Sequence, residues 1–191
     1  MEAEASAAVK RARSGDNEAF RLLVEQNGRA IFRLAYRMTG NEQDAEDIVQ
    51  ETFLKAYRQI DRYDARASFS TWLYRIASNC SLDLIRKRKT RERNRERGSD
   101  PDRDVLASIP APTPGPEREL YSSQISECVH AALVELSGQE RTAFILRHFE
   151  GLSIEEIGLA LGTGASATKH SIFRAVQKLR RSLEPLVSSA R

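Results

Sequence analysis

The segment DAEDIVQETFLKAYRQIDRYDARASFSTWLYRIASN, residues Asp44 to Asn79, decides how this chain is read. In its first half Ala45, Ile48, Val49, Thr52, Phe53, Ala56, Tyr57 and Ile60 recur at three- and four-residue steps, the spacing of one buried stripe on an α-helix. That stripe leaves Asp44, Asp47, Gln50 and Glu51 facing outward, a surface suited to a basic partner. In the second half Phe69, Trp72, Leu73, Ile76 and Ala77, continued by Cys80, form another apolar stripe. Tyr74, Arg75, Ser78, Asn79 and Asp83 lie off it, a face able to stack on bases and touch phosphates. Between the two helices Asp61 to Ser68, DRYDARAS, has no helical period and carries one aromatic, Tyr63. An aromatic in a short polar loop can hold an unstacked base, or it can simply staple the loop to the domain.

Towards the N-terminus, Asp16 to Met38 reads as a helix or close helix pair with Phe20, Leu23, Val24, Ile31, Leu34, Ala35 and Met38 on one side. Asp16 is its N-cap and Thr39-Gly40 its stop. The next helix runs from Asn41 to Ile60, and Glu42, Asp44, Glu46 and Asp47 in its first turns suit the positive end of the helix dipole. Towards the C-terminus, Arg86 to Arg97 reads RKRKTRERNRER, either a solvated helix end or a phosphate-tracking extension. Residues 98–119 hold five of the six prolines and no periodicity, which marks a flexible linker. Its roughly 20 residues, at about 3.3 Å each, reach at most about 70 Å, close to two turns of duplex.

A second helical module follows, over residues 120–191. Ile125, Val129, Ala132, Leu133 and Leu136 form a stripe; Ser137 with Glu140, and Ser153 with Glu156, read as capping boxes. The stretch LSIEEIGLALGTGASATKHSIFRAVQKLRRSLEPLV, Leu152 to Val187, reads as a helix-turn-helix, with Gly162 in the turn and Thr163 capping the second helix. The buried stripe of that helix is Ala165, Thr168, Ile172, Ala175, Val176 and Leu179. Lys169, His170, Arg174 and Lys178 project the other way, and Ser166, Ala167 and Ser171 lie near the end that enters a groove.

Composition narrows the class further. The 191 residues are 40% hydrophobic and 30% charged with net charge +3, so the distribution of charge carries more information than its sum. No apolar run approaches the roughly 20 residues needed to span a bilayer, and MEAEASAAVKRARSGD lacks the apolar core of a secretion signal. A cytoplasmic protein without membrane insertion is expected. Cys80 and Cys128 are far apart and lack metal-ligand spacing, so both read as reduced core residues, and no metal or cofactor is expected. There is no phosphate-cradling glycine loop and no nucleophile elbow, which argues against an enzyme.

DAEDIVQETFLKAY followed by FSTWLYRIASN resembles region 2 of the small bacterial sigma factors of the extracytoplasmic-function (ECF) group, and the helix-turn-helix tail resembles sigma region 4. The resemblance implies an all-α protein of two small helical domains, 1–97 and 120–191, that directs core RNA polymerase to promoters. It implies that Asp44, Asp47, Gln50 and Glu51 dock on the clamp helices of the largest polymerase subunit. It implies that Tyr63 and Asn79 receive a base flipped from the non-template strand of the −10 element, with Trp72, Tyr74, Arg75, Arg86 and Lys87 along the same DNA. Extrusion costs a few kcal/mol, and stacking returns about 1–3 kcal/mol per base. Housekeeping sigma factors carry a tryptophan pair where this chain has Trp72-Leu73, a departure that fits weak melting and strict promoter choice; Trp72 also has the position of a core residue. On the second module the resemblance implies −35 contacts from Ser166, Lys169, His170, Ser171, Arg174 and Lys178. It also implies docking of the helix carrying Arg141, Arg147 and His148 on the flap tip of the second-largest subunit, and an anti-sigma partner. TGASATKHS departs from the common turn pattern of the family, which leaves the −35 sequence preference unread; His170 can equally be a surface polar residue. Two other readings, a free-standing helix-turn-helix regulator and an adaptor that never touches DNA, are disfavoured by the first module and by the exposed basic faces.

Overall fold

A computed structural model describes residues 2–97 and 128–189; the linker, Tyr121 and Ile125 lie outside the described residues. Helices joined by short turns and loops make up the described backbone, with no strand among the described residues. The first module contains α1 (Glu2–Arg13), α2 (Asn17–Thr39), α3 (Glu42–Gln59), a 3-10 turn (Ile60–Arg62) and α4 (Phe69–Arg97). The second contains α5 (residues 128–134), α6 (Gly138–His148), α7 (Ile154–Leu161) and α8 (Ala165–Ser189).

The helix ends follow local chemistry. The Asp16 carboxylate accepts the Ala19 N–H at the start of α2, and Asn41 does the same for Asp44 N–H at the start of α3. Gly40 ends α2 at φ 70°, a left-handed cap that glycine adopts without strain. Both capping boxes form: the Ser137 and Ser153 hydroxyls accept from Glu140 and Glu156 N–H, and each glutamate accepts the serine N–H in return. Thr163 does not cap α8. Its hydroxyl pairs with that of Thr168 at 2.9 Å, and the Gly164 carbonyl accepts the first helical N–H, from Thr168.

Three positions assigned to buried stripes turn out exposed. Tyr57 stands edge-on to Phe20 at 5.0 Å and donates its hydroxyl to Asn17, so its ring is half in solvent. Ala165 lies in the first, uncovered turn of α8, and Val176 sits at the margin of its stripe. α1 was not read from the sequence; it packs Val9 and Ala12 into the core.

The larger of two hydrophobic clusters spans both modules, while Ala132, Leu133, Leu136, Ala175 and Leu179 form a second one within the second module. Leu23, Ile31, Leu34, Met38, Leu73 and Ile76 of the first belong to the same cluster as Ala143, Ile145, Leu146, Leu152, Ile157 and Ala160 of the second. α7 lies along α4, and α6 meets α2. Arg141 of α6 is buried and donates to the Met38 carbonyl at 2.8 Å and the Val134 carbonyl at 2.7 Å. Gly40 leaves no room for a Cβ against the His130 ring. Glu150, with 2% of its side chain exposed, accepts from Arg33 at 2.9 Å, Arg37 at 3.4 Å and the Tyr74 hydroxyl at 3.1 Å. The Arg37 guanidinium also sits 4.3 Å above the Phe149 ring.

Candidate nucleic-acid interface

On the first module the exposed positions of α4 fall on one line. Arg75, Asn79 and Arg86 are exposed, with Trp72 half-buried one turn earlier; spacings of three, four and seven residues keep them on one helix face. At about 1.5 Å per residue that line is roughly 20 Å long. Lys87 is exposed beside it. At its upper end Tyr63, Phe69 and Trp72 form an aromatic trio with centroids 5.5–5.6 Å apart. The Tyr63 hydroxyl donates to the Ala67 carbonyl at 2.7 Å, and burial pushes its pKa up, with Asp64 adding to the shift. Ala65 holds φ 59° within this loop, a strained value for a residue with a Cβ. From α1, Arg13 donates to the Asp61 carbonyl at 3.0 Å and the Tyr63 carbonyl at 3.5 Å, bracing the loop from outside. No sequence period marked Arg13, because the contact depends on where α1 lands.

Three residues expected on these surfaces are placed elsewhere: Ser78 is buried at 1% exposure, and Asp44 and Tyr74 are buried as well. Asp44 is 7% exposed and paired with Arg88, so it is not part of an outward acidic face; Asp47, Gln50 and Glu51 are. Burial raises the Asp44 pKa, with the Arg88 charge opposing and Asp47 adding. The reason is register: Asp44 precedes Ala45 at the edge of the stripe, where the long basic end of α4 passes over it. Leu54, exposed one turn beyond Gln50 and Glu51, extends the face they form. Tyr74, expected beside the DNA-facing residues, is buried under Glu150, and burial followed by the Glu150 charge pushes its phenol far above the ordinary value.

On the second module, α7 and α8 meet at the angle that Gly158 permits: a Cβ there would stand 2.8 Å from the Thr163 carbonyl oxygen. Gly162, at φ 65°, turns the chain between them. Ser166, Lys169, His170, Arg174 and Lys178 are exposed along α8, whereas Ser171 is buried at the floor of an open groove of about 390 Å3. Phe173, 62% exposed, also lines that groove and was missed by the sequence reading; its position three residues after His170 was the available signal. Arg174 and Lys178 both reach the buried Glu140 carboxylate of α6, Lys178 at 2.7 Å. Burial pushes that carboxyl up, but the hydrogen bonds from Lys178 and Ser137 outweigh it and leave its pKa below the usual value. On α6, Arg147 donates to the Leu152 carbonyl and His148 packs on Phe144 at 4.6 Å, and both stay exposed.

No group of three or more His, Cys, Asp or Glu side chains poised for a metal occurs among the described residues. An all-helical pair of modules, one with an aromatic trio heading a polar-basic helix face and the other with a helix-turn-helix, defines a class of protein that handles nucleic acid. The comparisons with known proteins are more particular. The sigma-70 region 2 family matches residues 23–91, and the sigma-70 region 4 family matches residues 126–179. The ECF RNA polymerase sigma factor SigW of Bacillus subtilis is 36% identical over 93% of this chain and 96% of its own length. Among solved structures, that of CnrH in complex with the cytosolic domain of CnrY aligns with TM-score 0.70 and 26% identity, over 95% of this chain and 98% of that one. The sigma factor RpoE of Bartonella quintana, solved with the anti-sigma factor NepR, has the same fold at TM-score 0.65 and 24% identity, over 86% of this chain and 96% of that one. The chain belongs to the ECF group of the sigma-70 family, whose members are transcription initiation factors and not enzymes.

Proposed function

We propose that the chain binds core RNA polymerase through Asp47, Gln50, Glu51 and Leu54 of α3, and that the Trp72, Arg75, Asn79, Arg86 line of α4 takes the unpaired −10 strand. Tyr63 and Trp72, the half-buried members of the trio, supply the stacking platform at the head of that line, with Phe69 buried behind them. The exposed face of α8 reads the −35 duplex, with Arg174 placed for bidentate pairing to a guanine. Residues 1–97 and 120–191 act as the two units, the second helped by α6 docking on polymerase through Arg147 and His148. The observation that carries this reading is the coexistence, in one chain, of a helix-turn-helix with an exposed basic face and a separate aromatic-headed helix face suited to single strands.

The two units touch in the structure, while their two promoter elements lie about two duplex turns apart. Promoter binding therefore requires α7 to leave α4, and the 98–119 stretch is long enough to permit it. Separation frees Tyr74 to join the −10 face and uncovers Arg141 on the α6 surface meant for polymerase. A partner that holds the units together would keep the factor idle. An anti-sigma protein fits that role; CnrH, which aligns at 26% identity, was solved in complex with the cytosolic domain of CnrY.

Reconstitution with core polymerase tests the proposal. Run-off transcription from a promoter selected by the holoenzyme is the expected result. Sequence-specific duplex binding with no polymerase association would overturn it in favour of a free-standing regulator. Tyr63→Ala with Asn79→Ala should abolish bubble formation while leaving −35 duplex binding intact; equal loss of both would remove the pocket from the account.

A further inference from the structure

The DNA-facing side of α8 is tied to a residue on another helix. Glu140, the third residue of α6, has 5% of its side chain exposed. Its Oε2 accepts from the Ser137 backbone N–H at 3.0 Å and from Lys178 Nζ at 2.7 Å, and its Oε1 stands 3.5 Å from Arg174 Nε. A capping box needs the first of these bonds alone. The other two bring residues one turn apart on α8 to a single carboxylate. Arg174 lines the groove together with Gln139, Ala167, His170 and Phe173.

We propose that Glu140 is a positioning residue for −35 recognition, holding Lys178 back from the phosphates and fixing the plane of the Arg174 guanidinium so that its outer edge meets a base. The role rests on the assignment of α8 to −35 reading. A guanidinium drawn to a carboxylate on its Nε side keeps its paired Nη groups available for a guanine edge, and the ion pair restrains a long side chain that is otherwise 63% exposed. A lysine held by a buried carboxylate contributes little to counterion release, the sequence-independent component of binding. The carboxylate thus raises discrimination at the expense of general DNA affinity. Its own burial, in a cap whose second half is Ser137, keeps it in place.

The test uses full-length protein in reconstituted holoenzyme, with a selected promoter and a version substituted at the −35 base pairs, over a range of KCl concentrations. Glu140→Gln keeps an acceptor for the Ser137 N–H, and glutamine is accepted at this capping position. It should steepen the slope of log K against log salt by about 0.9, one added phosphate contact, and cut the matched-to-substituted binding ratio by about fivefold. Ser137→Ala weakens the same cap without touching Arg174 or Lys178, and should leave both slope and ratio unchanged. In an Arg174→Ala background Glu140→Gln should lose its effect on the ratio while keeping its effect on the slope. If Glu140→Gln alters neither quantity while Arg174→Ala relaxes the ratio, or if Ser137→Ala reproduces its effects, the positioning role is overturned and α8 remains the reader. If Arg174→Ala also leaves the ratio unchanged, the −35 assignment falls and the role of Glu140 with it.

Discussion

Replacing Glu150 with alanine should release the second module from the first. The carboxylate is almost wholly enclosed, while Arg33 and Arg37 are 49% and 28% exposed, so both arginines rehydrate readily once it is gone. The loss is therefore smaller than the roughly 3–5 kcal/mol of a fully buried pair broken from one side. One charge-assisted hydrogen bond is worth about 1.5–3 kcal/mol, and a buried hydroxyl left without a partner, here Tyr74, costs about 1–3 kcal/mol. After discounting for the exposure of the arginines, about 2–3 kcal/mol is expected, which at 1.4 kcal/mol per decade shifts the docked-to-open equilibrium by roughly 30- to 150-fold. Hydrogen exchange followed by mass spectrometry reads this directly. α7 has eight residues and is marginal as an isolated helix, so its amides should lose protection by at least tenfold, while those of α3 do not change. Glu150→Gln, which retains an acceptor for Tyr74, should fall between. Unchanged protection in α7, or an equal loss in α3, would refute the assignment of Glu150 as a principal polar contact between the modules.

Gly40→Ala should open the same interface by another route, since alanine at φ 70° is strained by about 1 kcal/mol and its Cβ would displace His130; a smaller protection loss in α7 than for Glu150→Ala checks it. Burial, followed by the nearby Arg141 charge, lowers the His130 pKa. The open or unfolded state then binds the proton more readily, so docking should weaken as pH falls through about 6.5 and level off below the folded value; scattering measured from pH 8 to 5.5 should show expansion that His130→Gln abolishes. Asp47→Ala and Glu51→Ala should each reduce polymerase affinity about two- to fivefold, as exposed charges do, whereas Asp44→Asn should change it less than twofold; competition binding that ranks Asp44 first would put that carboxylate back on the polymerase-facing surface. Ala65→Gly should raise thermal stability by relieving the strain at φ 59°, with bubble formation as the second readout.

Local rules made much of this protein legible before any coordinate. A cap is settled within four residues, so Asp16, Gly40 and both serine–glutamate boxes were readable in the chain, as were the helices they bound and the helix-turn-helix around Gly162. The apolar stripes of α2, α3 and α4 were readable for the same reason: the 3.6-residue period is written in the sequence. Periodicity names the apolar face, but it does not name what covers the polar residues at that face's margin. Asp44 and Asp47 look alike in the chain, yet the end of α4 reaches one and not the other. Tyr74 and Arg75 both lie off the stripe, and only the arrival of the Phe149–Glu150 turn, 75 positions downstream, buries the tyrosine. Arg141 looked like a surface cation until α6 set it against the Met38 carbonyl. Helices, caps and apolar stripes were thus fixed by short-range chemistry, and the docking of one module on the other was decided by long-range packing, because a contact between distant residues exists only once both helices have been placed.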